Sequence, residues 1–499
     1  SNTMAKGQIL AMAKGIGKGG IIETSGGAID FEKIKVSTIA TDGSAGEWLI
    51  DPWNFFFNST QLGTLASNLG GANITISTGS SSASGGPTTF FGRGYIVFDA
   101  SLTYTNSNAR TLTLSSNADI WIKGNITSSG GALSLSFNAP SDRRIYLNGD
   151  VSTNGGAISV NNSSQINFQK ITGTQTIASN GGAINFSNSN IRLLRHSGTL
   201  SINSGSGQLG LGGSGSVEQV NTFFDISSPN TLVTWGGAHT LWDNVNGGTN
   251  SGLRSYGSNN IVLGREYALK LWFWDSWDGG EGGEVIVREP NNTVQYYFRG
   301  FRTHNSGFTS HDGFSRSTYQ INSESNQGRN NWNDQNVEIY FQAQHNGTLQ
   351  TYTNLGSDQN DESLEVQDLI EISFPTTTYS SGSRSLELIS SSGQLACGTK
   401  NFNSLASVTF NTNNNDGFVE GIISGTTNVT KSGSGSVRFS GANTYSGTTT
   451  VSAGTYRFVP WFANDLALSG AFTNNGNVTF ETGNVNSRPT IFLDGGISG

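Results

Sequence analysis

Through residues 100–220 single apolar residues alternate with Ser, Thr and Asn in short runs, as in LSLSF (133–137), ISV (158–160) and INF (184–186). A period of two sends apolar side chains to one face of a strand and polar ones to the other. The motif GGA followed by Ile or Leu occurs at Gly26, Gly130, Gly155 and Gly181, the last three 25 and 26 residues apart. Their flanks also match, in GNITSSGGALSLSF, GDVSTNGGAISVNN and QTIASNGGAINFSN, and a diverged copy, LGGANITIST, starts at Leu69. Such a unit cannot bury its apolar face alone and must stack on its neighbours. The pattern therefore predicts coils of a parallel β-helix. Leu133, Leu135, Phe137, Ile145, Leu147, Val151, Ile158, Val160, Ile166, Phe168, Ile184 and Phe186 are expected to point inward.

Composition agrees with a stack of coils. The chain has 499 residues, above the size of a single compact core, with 67 glycines, 8 prolines and only 12% charged residues. Equivalent positions of successive coils lie about 4.8 Å apart, where like charges repel but Asn and Thr form ladders. The net charge of −8 and the lack of a Lys/Arg cluster exclude a nucleic-acid footprint. Cys397 is the single cysteine, so no internal disulfide can form, and it is expected to be a small buried apolar residue. No run of 18 apolar residues suggests a spanning helix. The texture runs up to the last residues, so the chain is expected to be a slice of a longer protein whose export and anchoring signals lie elsewhere.

The pattern stops between Ile261 and Pro375. LWFWDSWDGGEGGEV (271–285) opens a stretch with four of the ten tryptophans and sixteen acids against seven basic residues, a local charge of −9. The shift predicts a separate domain with its own core. Strand-like segments at 267–275, 284–289, 293–301, 337–344, 350–356 and 369–374, joined by Gly/Asn/Ser loops, predict an antiparallel, jelly-roll-like sandwich. The expected organisation is thus a β-helix stalk over 1–260, an inserted sandwich over 261–375 and a β-helix continuation over 376–499.

Three stretches carry family resemblances. GKGGIIETSGGAIDFEKIKVSTIATDGSAGEWLIDPWNFFF, with the Gly19–Gly20 turn, Glu23, Gly26–Gly27 and Trp48-Leu49-Ile50-Asp51-Pro52, resembles large secreted proteins of the filamentous haemagglutinin type. SGSGSVRFSGANTYSGTTTVSAGTYRF (432–458) is similar to the autotransporter-associated β-strand repeat, the match lying on Gly441 to Gly447. The resemblance covers roughly residues 15–215 and 415–460, and both families are built as right-handed β-helical passengers of exported bacterial proteins. DSWDGGEGGEV with SDQNDESLEVQDLIEISF resembles a sandwich module of extracellular multi-domain proteins.

Candidate chemistry concentrates in that acidic stretch. Asp275, Asp278 and Glu281 follow one predicted strand, and Asp361 with Glu362 precede the last one. Carboxylates brought together repel unless a hard cation neutralises them, and Ca²⁺ takes six to eight oxygens from such side chains. The alternatives are a solvated acidic face and a catalytic carboxylate pair. Trp277, Tyr319 and Trp332 are candidate platforms for a sugar ring beside the ion, against packing aromatics as the plain alternative. His304 and His311 with Asp312 lack a ligand triad at zinc spacing. Credible hydrolase and phosphate-cradle motifs are missing.

The expected fold is all-β, a right-handed parallel β-helix with an inserted antiparallel sandwich. The expected function is that of a non-enzymatic, secreted or cell-surface bacterial adhesin fragment with calcium as cofactor. Expected partners are a glycan or another cell-surface ligand, lateral copies of itself, no nucleic acid, and an outer-membrane secretion partner outside the chain. A structural filament without a specific ligand and a polysaccharide lyase or hydrolase are the rival readings.

Overall fold

The computed structural model describes residues 2–78, 94–224, 382–459 and 470–481, apart from residues 27, 53–54, 142, 164, 171–172, 187–188 and 195–196. It further describes the strands between Thr231 and Thr378 and the short strands Leu466–Leu468, Ile491–Leu493 and Ile497–Ser498. The chain divides into two compact units, one of residues 1–86, 93–227 and 376–499 and the other of residues 87–92 and 228–375.

The first unit is a parallel β-solenoid of about eleven turns, with strands in parallel sheets of 13, 11 and 9 members. A complete coil contributes one strand to each sheet. Leu133–Asn138, Arg144–Leu147 and Val151–Ser152 form one coil, and their partners in the next are Ile158–Asn161, Gln165–Phe168 and Gln175–Ala178. The register keeps like on like, with Leu135 beside Ile158, Ile145 beside Ile166 and Val151 beside Ile177. All twelve residues expected to point inward are buried and belong to one continuous apolar core. Because the period is two, a slip of one residue would turn the whole apolar set outward, which fixes the register.

A corner of the coil explains the glycine pairs. The hydroxyls of Ser128, Thr153, Ser179, Ser204 and Ser390 each donate to the carbonyl three residues on, that of Gly131, Gly156, Gly182, Gly207 and Gly393 respectively. The five hydroxyl residues are buried, so each bond satisfies a polar group away from water. A Cβ on Gly182 would stand 2.3 Å from the Gly156 carbonyl oxygen, and one on Gly207 2.1 Å from that of Gly182. Only a residue without a side chain permits this stacking.

The solenoid continues across residues 228–375 without a missing coil. Gly198–Asn203 pairs with Arg384–Ser390, Leu209–Gly210 with Leu395–Ala396, and Ser216–Val220 with Asn401–Asn403. Thr222–Phe224 and Thr376–Thr378 form a two-stranded antiparallel pair at the ends of the interruption. The resembled WLIDP segment is the strand Glu47–Pro52, in which Trp48 and Ile50 are fully buried and the Trp48 indole donates to Thr24 Oγ1 at 3.0 Å.

Among the described residues one helix, Ser59–Leu69, departs from the all-strand expectation. Asn58 and Gln61 form a reciprocal capping box at its start. Leu62, Leu65 and Leu69 enter the core, and buried Asn68 stands in for a strand neighbour: its Oδ1 accepts from Val36 N at 2.6 Å and its Nδ2 donates to Ile34 O at 3.1 Å.

The second unit contains two five-stranded sheets. In one, Glu266–Asp275 pairs antiparallel with Gln335–Gln342 and with Glu362–Ser373, which also pairs with Thr231–Trp235 and His239–Leu241. In the other, Gly252–Ile261, Gly347–Asn354, Gly283–Arg288 and Gln295–Gly300 run antiparallel, and Arg316–Ile321 joins in parallel. Each of the six segments read as a strand in the sequence overlaps one of these strands.

Candidate functional site

Two of the five acids singled out in the sequence meet in the strand register. Asp275 ends the strand Glu266–Asp275 and Glu362 begins Glu362–Ser373, and the two are direct cross-strand partners. Like charges directly opposed in an antiparallel pair destabilise it, and a bound cation removes that cost. Asp278, Glu281 and Asp361 lie outside the described residues. Of the aromatic candidates, Tyr319 lies in Arg316–Ile321 in register with Phe298, whereas Trp277 and Trp332 lie outside the described residues. So do His304, His311 and Asp312. Among the described residues no three His, Cys, Asp or Glu side chains gather into a metal-holding group, and no helix is long and apolar enough to cross a membrane.

The outer surface of the solenoid offers ordered rows. On the 13-stranded sheet Thr75, Thr113, Ser136, Ser159 and Asn185 occupy one row of five successive coils. Beside it runs a second row of Ser77, Ser115, Asn138 and Asn161. On the 11-stranded sheet Thr409, Thr430, Thr450 and Thr473 align in the same way. The 9-stranded sheet differs, because its outer row of Val97, Trp121 and Tyr146 is buried.

Inside the column, three cations that sequence reasoning missed are fully buried: Arg384, Lys400 and Lys431. Arg384 donates to Phe168 O at 3.2 Å and to Gln175 Oε1 at 3.0 Å. Lys400 Nζ donates to Ser189 O at 2.6 Å, and Lys431 Nζ to Ser432 O at 2.6 Å and Gly433 O at 2.9 Å. Burial disfavours the charged forms, lowering both lysines to about 8 and Arg384 to about 10. Carbonyl oxygens, rather than carboxylates, solvate these charges. Strand phase announced two of them: Arg384 falls in step with Leu386 and Leu388, and Lys431 with Val429. Cys397 is buried as expected, and burial pushes its thiol pKa up despite Lys400, so it is a poor nucleophile.

Near the end of the column, Tyr445 is buried with its hydroxyl 2.7 Å from Thr449 Oγ1, and the ring of Tyr456 stacks on Phe439 at 4.0 Å between centroids. Residues 429–455, which include Phe439, Tyr445 and Thr449 and end just before Tyr456, match the passenger-associated-transport-repeat family. No curated protein matches the chain. The repeat and the parallel coils together fit the β-helix of an autotransporter passenger, an adhesin-like, secreted or cell-surface domain.

Proposed function

We propose that the chain is a calcium-dependent adhesin: a solenoid stalk that carries, between two directly stacked coils, an acidic β-sandwich whose loops bind Ca²⁺ and, beside it, a glycan. The carrying observation is the direct opposition of Asp275 and Glu362 at the ends of adjacent strands. Asp278, Glu281 and Asp361 follow or precede these two within a few residues, so the chain supplies enough oxygens for a cation that takes six to eight. The two five-stranded sheets of residues 228–375 are the faces of the proposed sandwich. Calcium would hold the loops in a binding-competent shape, with Trp277, Tyr319 and Trp332 as the apolar surface for a sugar ring. The resemblance to filamentous haemagglutinin-type exoproteins supports display at a bacterial surface, with a secretion partner at the outer membrane and neighbouring copies at its side. The protein in this reading performs no catalysis.

Thermal unfolding of the full chain with Ca²⁺ and with EDTA, followed by a glycan array under both conditions, tests the reading. A calcium-dependent rise in one unfolding transition and array signals that EDTA abolishes are expected. Identical melting curves would remove calcium from the account, and an empty array would leave a filament without a ligand.

A further inference from the structure

We propose that the outer face of the 13-stranded sheet between Thr75 and Asn185 is a second binding surface, taking an extended, uncharged polysaccharide chain directly on the stalk. Five successive coils present Thr75, Thr113, Ser136, Ser159 and Asn185 in one row and Ser77, Ser115, Asn138 and Asn161 in the next. Thr111 and Ser134 add a third row on two of the coils. All these side chains are partly or fully exposed.

Charge stays at one edge of the strip, where Thr75 Oγ1 donates to Glu47 Oε1 at 2.5 Å; from Thr113 to Asn185 the rows carry no charged residue. The central row reaches Glu23 two coils before Thr75, and Arg438 and Arg457 stand in it well beyond Asn185, paired with Glu420 at 3.3 Å and Glu481 at 2.6 Å. An uncharged strip selects an uncharged partner, since any ionic group would lose water there without gaining a counter-charge. Hydroxyls and amides both donate and accept, which suits a polymer of sugar hydroxyls and offers little to an apolar surface.

The groups are also held in place. Asn161 Nδ2 donates to Ser136 Oγ at 3.3 Å and to Asn138 Oδ1 at 3.0 Å, and Ser159 Oγ donates to Leu135 O at 3.4 Å. Orientation fixed before binding lowers the entropy lost on association. The strip measures about 19 Å along the column and about 13 Å across, roughly 250 Å². A stable dimer buries about 800 Å² per partner around aromatic anchors, so a second copy of this chain fits poorly. A single ribbon of β-linked neutral sugar, repeating its hydroxyls on a spacing comparable to that of the coils, fits well.

Retention of the full chain on cellulose, with alginate beads as the anionic comparison, tests the inference. EDTA is kept in both, so that the strip is read apart from the calcium-dependent site. The wild type should bind cellulose and pass through alginate. Ser136→Glu with Ser159→Glu should weaken binding about tenfold or more by placing carboxylates against neutral hydroxyls, while Thr409→Glu with Thr430→Glu, on the other ladder, should leave it unchanged. Should the glutamates unfold the column, Thr113→Val with Ser136→Ala removes hydroxyls without adding charge and should still weaken retention. Absence of wild-type retention under EDTA, equal retention on alginate, or equal binding by the strip variants would overturn the inference.

Discussion

The side-chain oxygen of Gln219 accepts a 3.0 Å hydrogen bond from the backbone N–H of Arg384, a residue 165 positions further along the chain. The amide nitrogen of the same side chain donates to Arg384 O at 3.2 Å and to Ser404 O at 3.0 Å. One glutamine therefore ties the last solenoid strand before residues 228–375 to the first one after them and to the turn that follows Asn401–Asn403. The coil closes locally, whatever the length of chain that leaves and returns at this point.

Gln219→Leu should strand the Arg384 N–H and two carbonyls, at a cost of about 1–3 kcal/mol. Thermal melting should show a lower midpoint for the solenoid transition and no change in any calcium-dependent one. Equal midpoints would mean that the clasp adds nothing to the neck strands Thr222–Phe224 and Thr376–Thr378.

Gly182→Ala should be among the most damaging small substitutions, since its Cβ would meet Gly156 O at 2.3 Å between coils that cannot separate. A loss above about 3 kcal/mol is expected. Gly173→Ala is the comparison: its φ is +69° but nothing lies within 4 Å of a Cβ, so the cost should stay near 1 kcal/mol. Chemical denaturation of both variants checks the order.

The coil corner shows how far the sequence could be read. The GGA motif reveals the repeat, but the Ser or Thr three residues before its second glycine, visible at Ser128, Thr153 and Ser179, gains meaning only once that hydroxyl is seen to reach the glycine carbonyl. Alternation identified the inward residues because one face of each strand is dry. The same rule, followed strictly, would have placed Arg384 and Lys431 inside; a charge in a strand is usually read as outward, and here carbonyl oxygens of the same and of neighbouring coils overrule that habit. The helix Ser59–Leu69 carried its own signal in the Asn58 and Gln61 spacing. The acidic site was legible as composition, but the opposition of Asp275 and Glu362 depends on a register between strands 86 residues apart, which no local pattern states.

Lys400 and Lys431 should give the fold a distinctive alkaline response. Burial lowers both to about 8, against 10.5 when unfolded, so between those values the unfolded chain binds more protons and stability rises with pH. From pH 7.5 to 9.5 the wild type should gain melting temperature relative to Lys400→Met with Lys431→Met. Parallel curves for the two proteins would show that the lysines are not held in a desolvated state.

Asp275→Asn with Glu362→Gln should separate repulsion from ion binding. Without calcium the pair should stabilise residues 228–375 by a few tenths to about 1 kcal/mol, because opposed carboxylates are gone. With calcium it should lose the stabilisation that the wild type gains. Calorimetry in both conditions reads each effect, and a full calcium response in the variant would move the ion elsewhere.

The account rests on the direct stacking of Gly198–Asn203 against Arg384–Ser390. Cysteines at positions 201 and 387, a register pair, test it most directly by oxidation and mass mapping, because a disulfide requires Cα atoms about 4.4–6.8 Å apart. The Ser201→Cys, Glu387→Cys protein should cross-link readily, while Ser201→Cys with Thr409→Cys, two coils or roughly 10 Å apart, should not. Free thiols at positions 201 and 387 in the first protein, beyond that of buried Cys397, or equal cross-linking in the second, would contradict a column that closes over its own interruption.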